Sequence, residues 1–377
     1  MNKRKKKKMW IIIISILGVI VIGASGVLIT ATVMGRPVQI NVDRQLAGVD
    51  EEIENVFYHA GFAPSSHNAQ MWGITISPTT STVSISLNDE RLLKVVDPTS
   101  REAYISIGCY VETLKQTFAA YGYETTIHIK DALDEKGDFV KIIYKKIVNS
   151  TTDQKQLDNI LKRHTDKSKY NDAAINANTL DLLADKDNIF YYIKGEENFN
   201  YLKQGTIDAV TVQSADQAYR DELAEWMRFS DNEVLEKQDG LPAEQIGLKG
   251  IVKSFYYWTT NHESAKGDTF AAQGIASCTG QVENCSAFFV VTSENNLKSL
   301  VETGMDTMEL WLKSASNNVS MQPLSAMMEA SPFAENIQLD LGLDAPVQMI
   351  LRAGITNDYG GNAGIRRDLA TYITVIE

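Results

Sequence analysis

The sequence predicts an α+β chain behind one transmembrane helix, on three observations. Short runs that alternate apolar and polar residues are bounded by turn residues, as paired strands require. Between them lie longer runs whose apolar residues recur on one helical face. Ahead of both, Met9 to Met34 carries no charge over 26 residues.

That uncharged run follows Lys3, Arg4 and Lys5 to Lys8. As a helix at ~1.5 Å per residue it would extend about 39 Å, enough to cross a ~30 Å hydrocarbon core with tilt. Ala24, Ser25 and Gly26 resemble a signal-peptide cleavage region, but typical apolar h-regions run only about 7–15 residues, so the length favours an uncleaved anchor. Six cations before the span and only Arg36 after it keep the N-terminus in the cytoplasm by the positive-inside rule. The expected organisation is therefore a cytoplasmic basic tail at 1–8, a span at 9–34 and a juxtamembrane linker at 35–49. The rest is extracytoplasmic, in a single-pass protein of the cell membrane.

The 377 residues carry a net charge of −12 and are 44% hydrophobic, a folding composition. Residues 37–377 hold 29 basic against 48 acidic residues, a poor surface for nucleic-acid phosphates. Cys278 and Cys285 lie in a polar stretch read as a loop, where a disulfide could form in an oxidising compartment; two free thiols are the other reading. Cys109, between apolar residues, reads as a packed thiol. The five histidines are scattered, and no Cys or His pair has zinc spacing.

In chain order, Asp50 to Phe62 reads as a helix with Ile53, Val56, Phe57 and Ala60 on one face. Trp72 to Ser77 and Thr82 to Leu87 form a hairpin around 78–81. Asp97-Pro98 opens a helix through Ala120, with Gly122 suited to a left-handed cap. Thr125 to Ile129 and Val140 to Ile147 are strands. Helical runs follow at Leu157 to Lys162, Leu180 to Leu183 and, as one long stretch, Phe199 to Trp226. Phe190 to Ile193 is a strand. The less regular segment at about 228–273 reads as a lid-like insertion. Phe288 to Thr292, Val347 to Ala353 and Tyr372 to Ile376 are strands, Asn296 to Ala315 is a helix, and Met321-Gln-Pro is a turn before a helix. A weak repeat aligns Gly108 with Gly304, Leu114 with Leu310, Ala119 with Ala315 and Gly122 with Asn318. Two similar amphipathic helices would give the same pattern.

Three motifs carry a resemblance. Ala63-Pro-Ser-Ser-His-Asn-Ala-Gln-Met-Trp72 resembles the flavin-contacting "APSSxNxQPW" signature of the FMN-dependent nitroreductase family. Lys162-Arg-His-Thr-Asp-Lys167 resembles its "RHSxK" element, and Leu351-Arg-Ala-Gly-Ile with Gly364-Ile-Arg-Arg367 its terminal "G…RR". Met71 stands where the family often has Pro, and Lys167 where many members have Arg. The Pro-Ser-Ser element comes first, the reverse of the family's order. With the repeat, this resembles the fused, Acg-like subgroup, which also shows "DPxxRE" (Asp97 to Glu102), "WxRFS…DGLP" (Trp226 to Pro242) and "PLSxxxE" (Pro323 to Glu329).

The resemblance implies a nitroreductase-like α+β fold with mixed or antiparallel sheets flanked by helices. It also implies two fused related halves, at 50–158 and 159–377, and a monomer that imitates the family's dimer. FMN is the implied cofactor. Its phosphate needs cations, which Arg163, Lys167, Arg366 and Arg367 would supply, with Arg offering forked contacts; taken singly, each is an ordinary surface charge. Thr165, Ser65, Ser66, Asn68 and Gln70 would bond the ribityl chain and the ring's polar edge, although Pro64 and the serines are also ordinary turn residues. His164 falls in the same motif, and Pro323, Leu324 and Ser325 fall where the family lays a loop on the ring. No side chain is assigned as catalytic, because the flavin carries the electrons, and no metal is expected. The implied function is reduction of small quinone- or nitro-type acceptors, with NAD(P)H, a quinol or a redox protein as donor. A flavin-sequestering protein with a closed lid, or a reductive dehalogenase-like flavoprotein, are the alternatives.

Overall fold

The computed structural model describes residues 30–133 and 137–377. The expected span falls outside the described residues except for 30–34, which are helical. Among the described residues no helix is long and apolar enough to cross a membrane.

Helix α1 (Glu51–Ala60) begins where Asp50 accepts the Ile53 amide, one of the donors a helix start leaves unpaired. Strands β1 (Trp72–Ser77) and β2 (Thr82–Leu87) pair as the predicted hairpin. Helix α2 (Arg101–Ala120), β3 (Tyr123–Ile129) and β4 (Asp138–Lys146) follow. These strands form one sheet in the order β3-β4-β2-β1-β9, where β9 (Ile373–Val375) comes from the end of the chain and pairs parallel to β1. Ile74, Ile76, Val83 and Ile85 point from it into a core with Phe57, Val111 and Phe118.

The remaining helices are α3 (Gln154–Lys162), α4 (Ala177–Leu183), α5 (Glu197–Ala215), α6 (Gln217–Trp226), α7 (Asp231–Lys237), α8 (Ile251–Thr259), α9 (His262–Ala265), α10 (Asp268–Glu283), α11 (Leu297–Ser316), α12 (Ala326–Glu329) and α13 (Phe333–Asp340). Strands β5 (Ile189–Ile193), β6 (Ala287–Thr292), β7 (Val319–Pro323) and β8 (Val347–Ile355) form an antiparallel sheet in the order β5-β6-β8-β7. Phe288, Val290 and Ile350 face α5, α10 and α12, while Phe289, Val291 and Leu351 face α4 and α11. A sheet covered on both faces needs apolar residues at every position, which is why β6 reads as an unbroken apolar run.

Three expectations are corrected. The stretch read as one helix from Phe199 to Trp226 is broken at Asp216, whose carboxylate caps α6 by accepting the Ala218 amide. Met321-Gln-Pro is the end of β7 and not a turn. Cys278 sits within α10 and not in a loop, and Cys278 and Cys285 are both free, buried thiols. Burial also pushes the Cys278 thiol up to about 11 and the Cys285 thiol up to about 12.

Candidate flavin site

A cavity of about 940 Å³ opens between the two sheets' helices and the 228–273 segment. All the sequence-predicted site residues line it except Gln70 and Arg367.

The first wall is the segment after α1. His67, Asn68 and Gln70 all have positive φ, at 48°, 52° and 52°. Three non-glycine residues in the left-handed region within four positions store strain that the surroundings must hold. Asn68 is held by its own amide, whose oxygen accepts from Arg366 Nη1 at 3.2 Å and whose nitrogen donates to the Ile365 carbonyl at 3.3 Å. Gln70 works behind the cavity: its Nε2 donates to the Gln238 carbonyl at 2.9 Å, and its Oε1 accepts the Arg367 amide at 3.0 Å. Arg367 in turn donates to the Gln70 carbonyl at 2.6 Å. These two residues join the carboxyl end and the 228–273 segment to the 63–72 segment.

The second wall is 163–167, laid along β7 by the Thr165–Met321 bridge and by the Asp166 amide donating to the Met321 carbonyl at 3.0 Å. Arg352, which is fully buried, fixes this segment's far side by donating to the Asp166 and Ser168 carbonyls, both at 3.0 Å. His164 lines the cavity with Nδ1 against the Lys162 carbonyl at 3.0 Å and its ring edge-on to Tyr359.

The charge arrangement is the distinctive feature. Arg163 is 2% exposed, donates through Nη2 to the Phe62 carbonyl at 2.8 Å and lies over the Trp311 ring. Its Nε and Nη1 are buried without a partner. Arg366 spends its donors on Gly61, Phe62, Ala63 and Ile365 carbonyls and on Asn68. Among the described residues no carboxylate pairs with either guanidinium. Burial pushes Arg163 down to about 10; burial and then the Arg163 charge push Arg366 down to about 9. Both therefore stay charged near neutral pH. Buried like charges without a counter-ion are costly, and an anion with several acceptor oxygens is the group that relieves them. Lys167, whose pKa is also lowered by burial and then by Arg352, lines the same cavity. One guanidinium with two open nitrogens, on Arg163, a second buried cation beside it in Arg366, and a flanking wall of small polar residues fit the phosphate and hydroxylated chain of FMN.

The sequence reading missed a second feature of the cavity. Glu102, on the first turn of α2, and Glu329, at the end of α12, both line it, close enough that each shifts the other's pKa. Each lies in a motif quoted above, but nothing in either string shows that the two glutamates meet.

In sequence, the chain is similar to nitroreductases. It is 24% identical over 298 residues to PigM of Serratia sp. (strain ATCC 39006), described as a probable NAD(P)H nitroreductase, covering 74% of this chain and 81% of that protein. No family model matches the chain. Among solved structures, the FMN-dependent nitroreductase NfnB from Mycobacterium smegmatis, in complex with NADPH, covers 59% of this chain and 99% of its own at 11% identity and a TM-score of 0.36. A nitroreductase-like protein from Bacillus cereus covers 61% and 100% at 13% identity and a TM-score of 0.31. Superposition at that level is loose.

Proposed function

We propose that this chain is an FMN-dependent oxidoreductase of nitroreductase type. It binds one FMN per monomer and passes electrons from NAD(P)H, a quinol or a redox partner to a quinone- or nitro-type acceptor. The observation that carries this reading is the pair Arg163 and Arg366, buried, charged and without a carboxylate among the described residues. PigM's description as an NAD(P)H nitroreductase favours a nicotinamide donor.

FMN, when bound, supplies the hydride chemistry. The chain's own residues do the rest. Arg163, Arg366 and Lys167 hold the phosphate, with Asn68 keeping Arg366 in place. Ser65, Ser66 and Thr165 offer hydroxyls, and Pro323, Leu324 and Ser325 form an adjoining wall. His67, pushed down to about 4 by burial, remains neutral and adds no charge beside the ring.

We also propose that the protein is anchored in the membrane by residues 9–34, with the flavin domain outside. The basic cluster ahead of the uncharged run supports this. So does the surface where that run ends. Residues 31–38 are clasped to the lid: Ser254 Oγ donates to the Ala31 carbonyl at 2.6 Å, and the buried Lys253 donates to the Arg36 carbonyl at 2.9 Å and to Glu244 at 2.6 Å. Beside this clasp, Val33, Val252, Phe255 and Trp258 are exposed, an apolar face of the kind that lies at a lipid interface. Gly35, Pro37 and Val38 also line the cavity, which would set its mouth near the bilayer and suit a lipid-soluble quinone.

The test is to purify the full chain in detergent, record its visible spectrum, and mix it with NADH, NADPH and a reduced quinol in turn. Bleaching of a flavin band, followed by reoxidation with a quinone or nitro compound, is the expected result. A flavin band that no donor bleaches identifies a flavin-holding protein. Absence of any flavin after incubation with FMN overturns the proposal.

A further inference from the structure

Glu102 and Glu329 line the same cavity, with Ser66 and Ser325 in its wall, and lie close enough that each shifts the other's pKa. Two buried carboxylates that close repel when both are ionised, so the pair favours holding one proton. The surroundings decide which oxygen keeps it. Glu102 receives Ser66 Oγ at 2.6 Å on Oε2 and Arg101 Nη2 at 3.0 Å on Oε1. Glu329 receives the neutral Gln213 amide, at 2.6 Å on Oε2. Burial and then the Glu102 charge push Glu329 well above the usual carboxyl range. Burial also works to raise Glu102, but Arg101, Glu329, Ser66 and Ser325 outweigh it and lower its pKa. The proton therefore resides on Glu329.

The other ionisable groups near the pair leave this assignment unchanged. Asp97, below α2, adds negative charge beside Glu102 and has its own pKa raised by burial and then by Glu102. His67, facing Glu102, is neutral. Tyr219, on α6, has its pKa raised by burial and then by Glu329 and Glu102, and stays a neutral phenol. The pair is also not isolated from a ligand. Thr307, 1% exposed, has a hydroxyl without a partner, and Thr307 and the open guanidinium of Arg163 line the same cavity.

Resting on the flavin reading above, we propose that the Glu102–Glu329 pair is the proton donor to the electron acceptor. A bound reduced flavin would supply two electrons as hydride to the quinone or nitro acceptor. The O–H bond of Glu329 breaks as a new O–H bond forms on the acceptor oxygen. The pair is left with two negative charges beside Arg101, and water entering the cavity restores the proton. Ser66 and Ser325, both expected at the ring, tie the pair to the place where the acceptor must sit.

The test has one readout without turnover and one with it. Infrared spectra of protein labelled with ¹³C at the glutamate carboxyl should show a protonated carboxyl band at pH 7, lost in Glu329→Gln. The amide of that variant can still donate to Glu102, which preserves the clasp. In stopped flow, Glu329→Gln should bind FMN and accept electrons from its donor as the parent does. Reoxidation by a quinone should slow by about 10²- to 10⁴-fold, the usual range for a general acid, and Glu329→Asp should recover part of it. Glu102→Gln, which removes the anion that holds the proton in place, should change the pH profile of reoxidation. A parent without the protonated band, or a Glu329→Gln variant that reoxidises within threefold of the parent, overturns the proposal. So does a variant that loses only thermal stability, because that marks a structural clasp. If the protein takes up no flavin, the function reading fails, and the infrared band still decides whether the pair holds a proton.

Discussion

Gly108 on α2 and Gly304 on α11 face each other where two 20-residue helices cross, and the contact is reciprocal. A Cβ on Gly108 would stand 2.0 Å from the Val301 carbonyl oxygen, and one on Gly304 would stand 2.0 Å from that of Ile105. Gly108 and Gly304 are the eighth residues of their helices, Ile105 and Val301 the fifth. A two-fold relation produces this pattern, in which residue i meets j and j meets i. Gly108→Ala and Gly304→Ala should each destabilise by about 1–3 kcal/mol or more, since the obstructing atoms are backbone and cannot rotate aside. Denaturant midpoints measure it; a shift below about 0.5 kcal/mol, the scale of ordinary surface substitutions, would mean that the helices separate freely.

Arg163→Ala removes a buried guanidinium with two open nitrogens, and Arg366→Ala removes one whose donors also fasten the 61–63 carbonyls. Losing a charge-assisted contact costs about 1.5–3 kcal/mol, a 10- to 150-fold weakening of FMN binding. Arg163→Ala should lose flavin on dialysis with little change in fold, because its side-chain hydrogen bond is to the Phe62 carbonyl. Arg366→Ala should lose both flavin and stability. Fluorescence titration with FMN beside thermal melts separates the two effects, and retention of flavin by both variants would refute the phosphate assignment.

Much of the fold was readable because local chemistry announces it. Asp50 and Asn296 cap the helices they precede. Gly122 and Asn318, paired by the repeat, both adopt left-handed φ, at 74° and 55°, a conformation that Gly and Asn tolerate best. What failed to show was decided by tertiary packing. Asp216 breaks a helix that apolar spacing alone would continue. The polar stretch around Cys278 is helical because Val282 and Cys278 are buried against Leu202 and Ala209. Gln70 and Arg367 lie in flavin-like motifs, yet they bond one another behind the cavity and Gln70 also donates to Gln238. Glu102 and Glu329 lie more than two hundred positions apart, so nothing local records that they line one cavity together.

His67 gives the flavin-free protein a pH dependence. In the unfolded chain it takes up a proton near pH 6.5, but in the fold burial holds it neutral until about pH 4. Between those values the unfolded chain binds more protons, so stability falls as the pH drops through that window and levels off below it. The loss attributable to His67 is at most about 3 kcal/mol. His59 and His164, also lowered by burial first, act in the same direction. His67→Asn keeps a residue that tolerates positive φ and should flatten the fall in melting temperature between pH 6.5 and 4. An unchanged slope would show that the ring is hydrated.

The reciprocal helix contact and the return of β9 to β1 place the two sheets and the cavity in one chain, so FMN binding should need no second copy. Light scattering on the holo protein in detergent, corrected for the micelle, should give one chain per particle. A dimer that dissociates on loss of FMN would show that the site is shared between copies.

The proposed topology rests on the asymmetry of six cations before the uncharged run and Arg36 behind it. Moving a charge against the membrane potential costs ~2.3 kcal/mol per 100 mV, so six oppose translocation far more than one, while the acidic domain contributes little to orientation. Orientation should survive loss of two or three of Lys5 to Lys8 and become mixed only when most of the cluster is gone. Protease shaving of cells without their wall, read by immunoblotting the carboxyl end, should digest the flavin domain while the membrane is intact. Replacing Val252 and Phe255, 58% and 50% exposed, with Ser should leave that topology unchanged but speed digestion of the 228–273 segment, by releasing α8 from the lipid surface. A domain digested only after lysis would place it in the cytoplasm and make NAD(P)H the accessible donor; a domain free in the medium would instead indicate cleavage near Ala24 to Gly26.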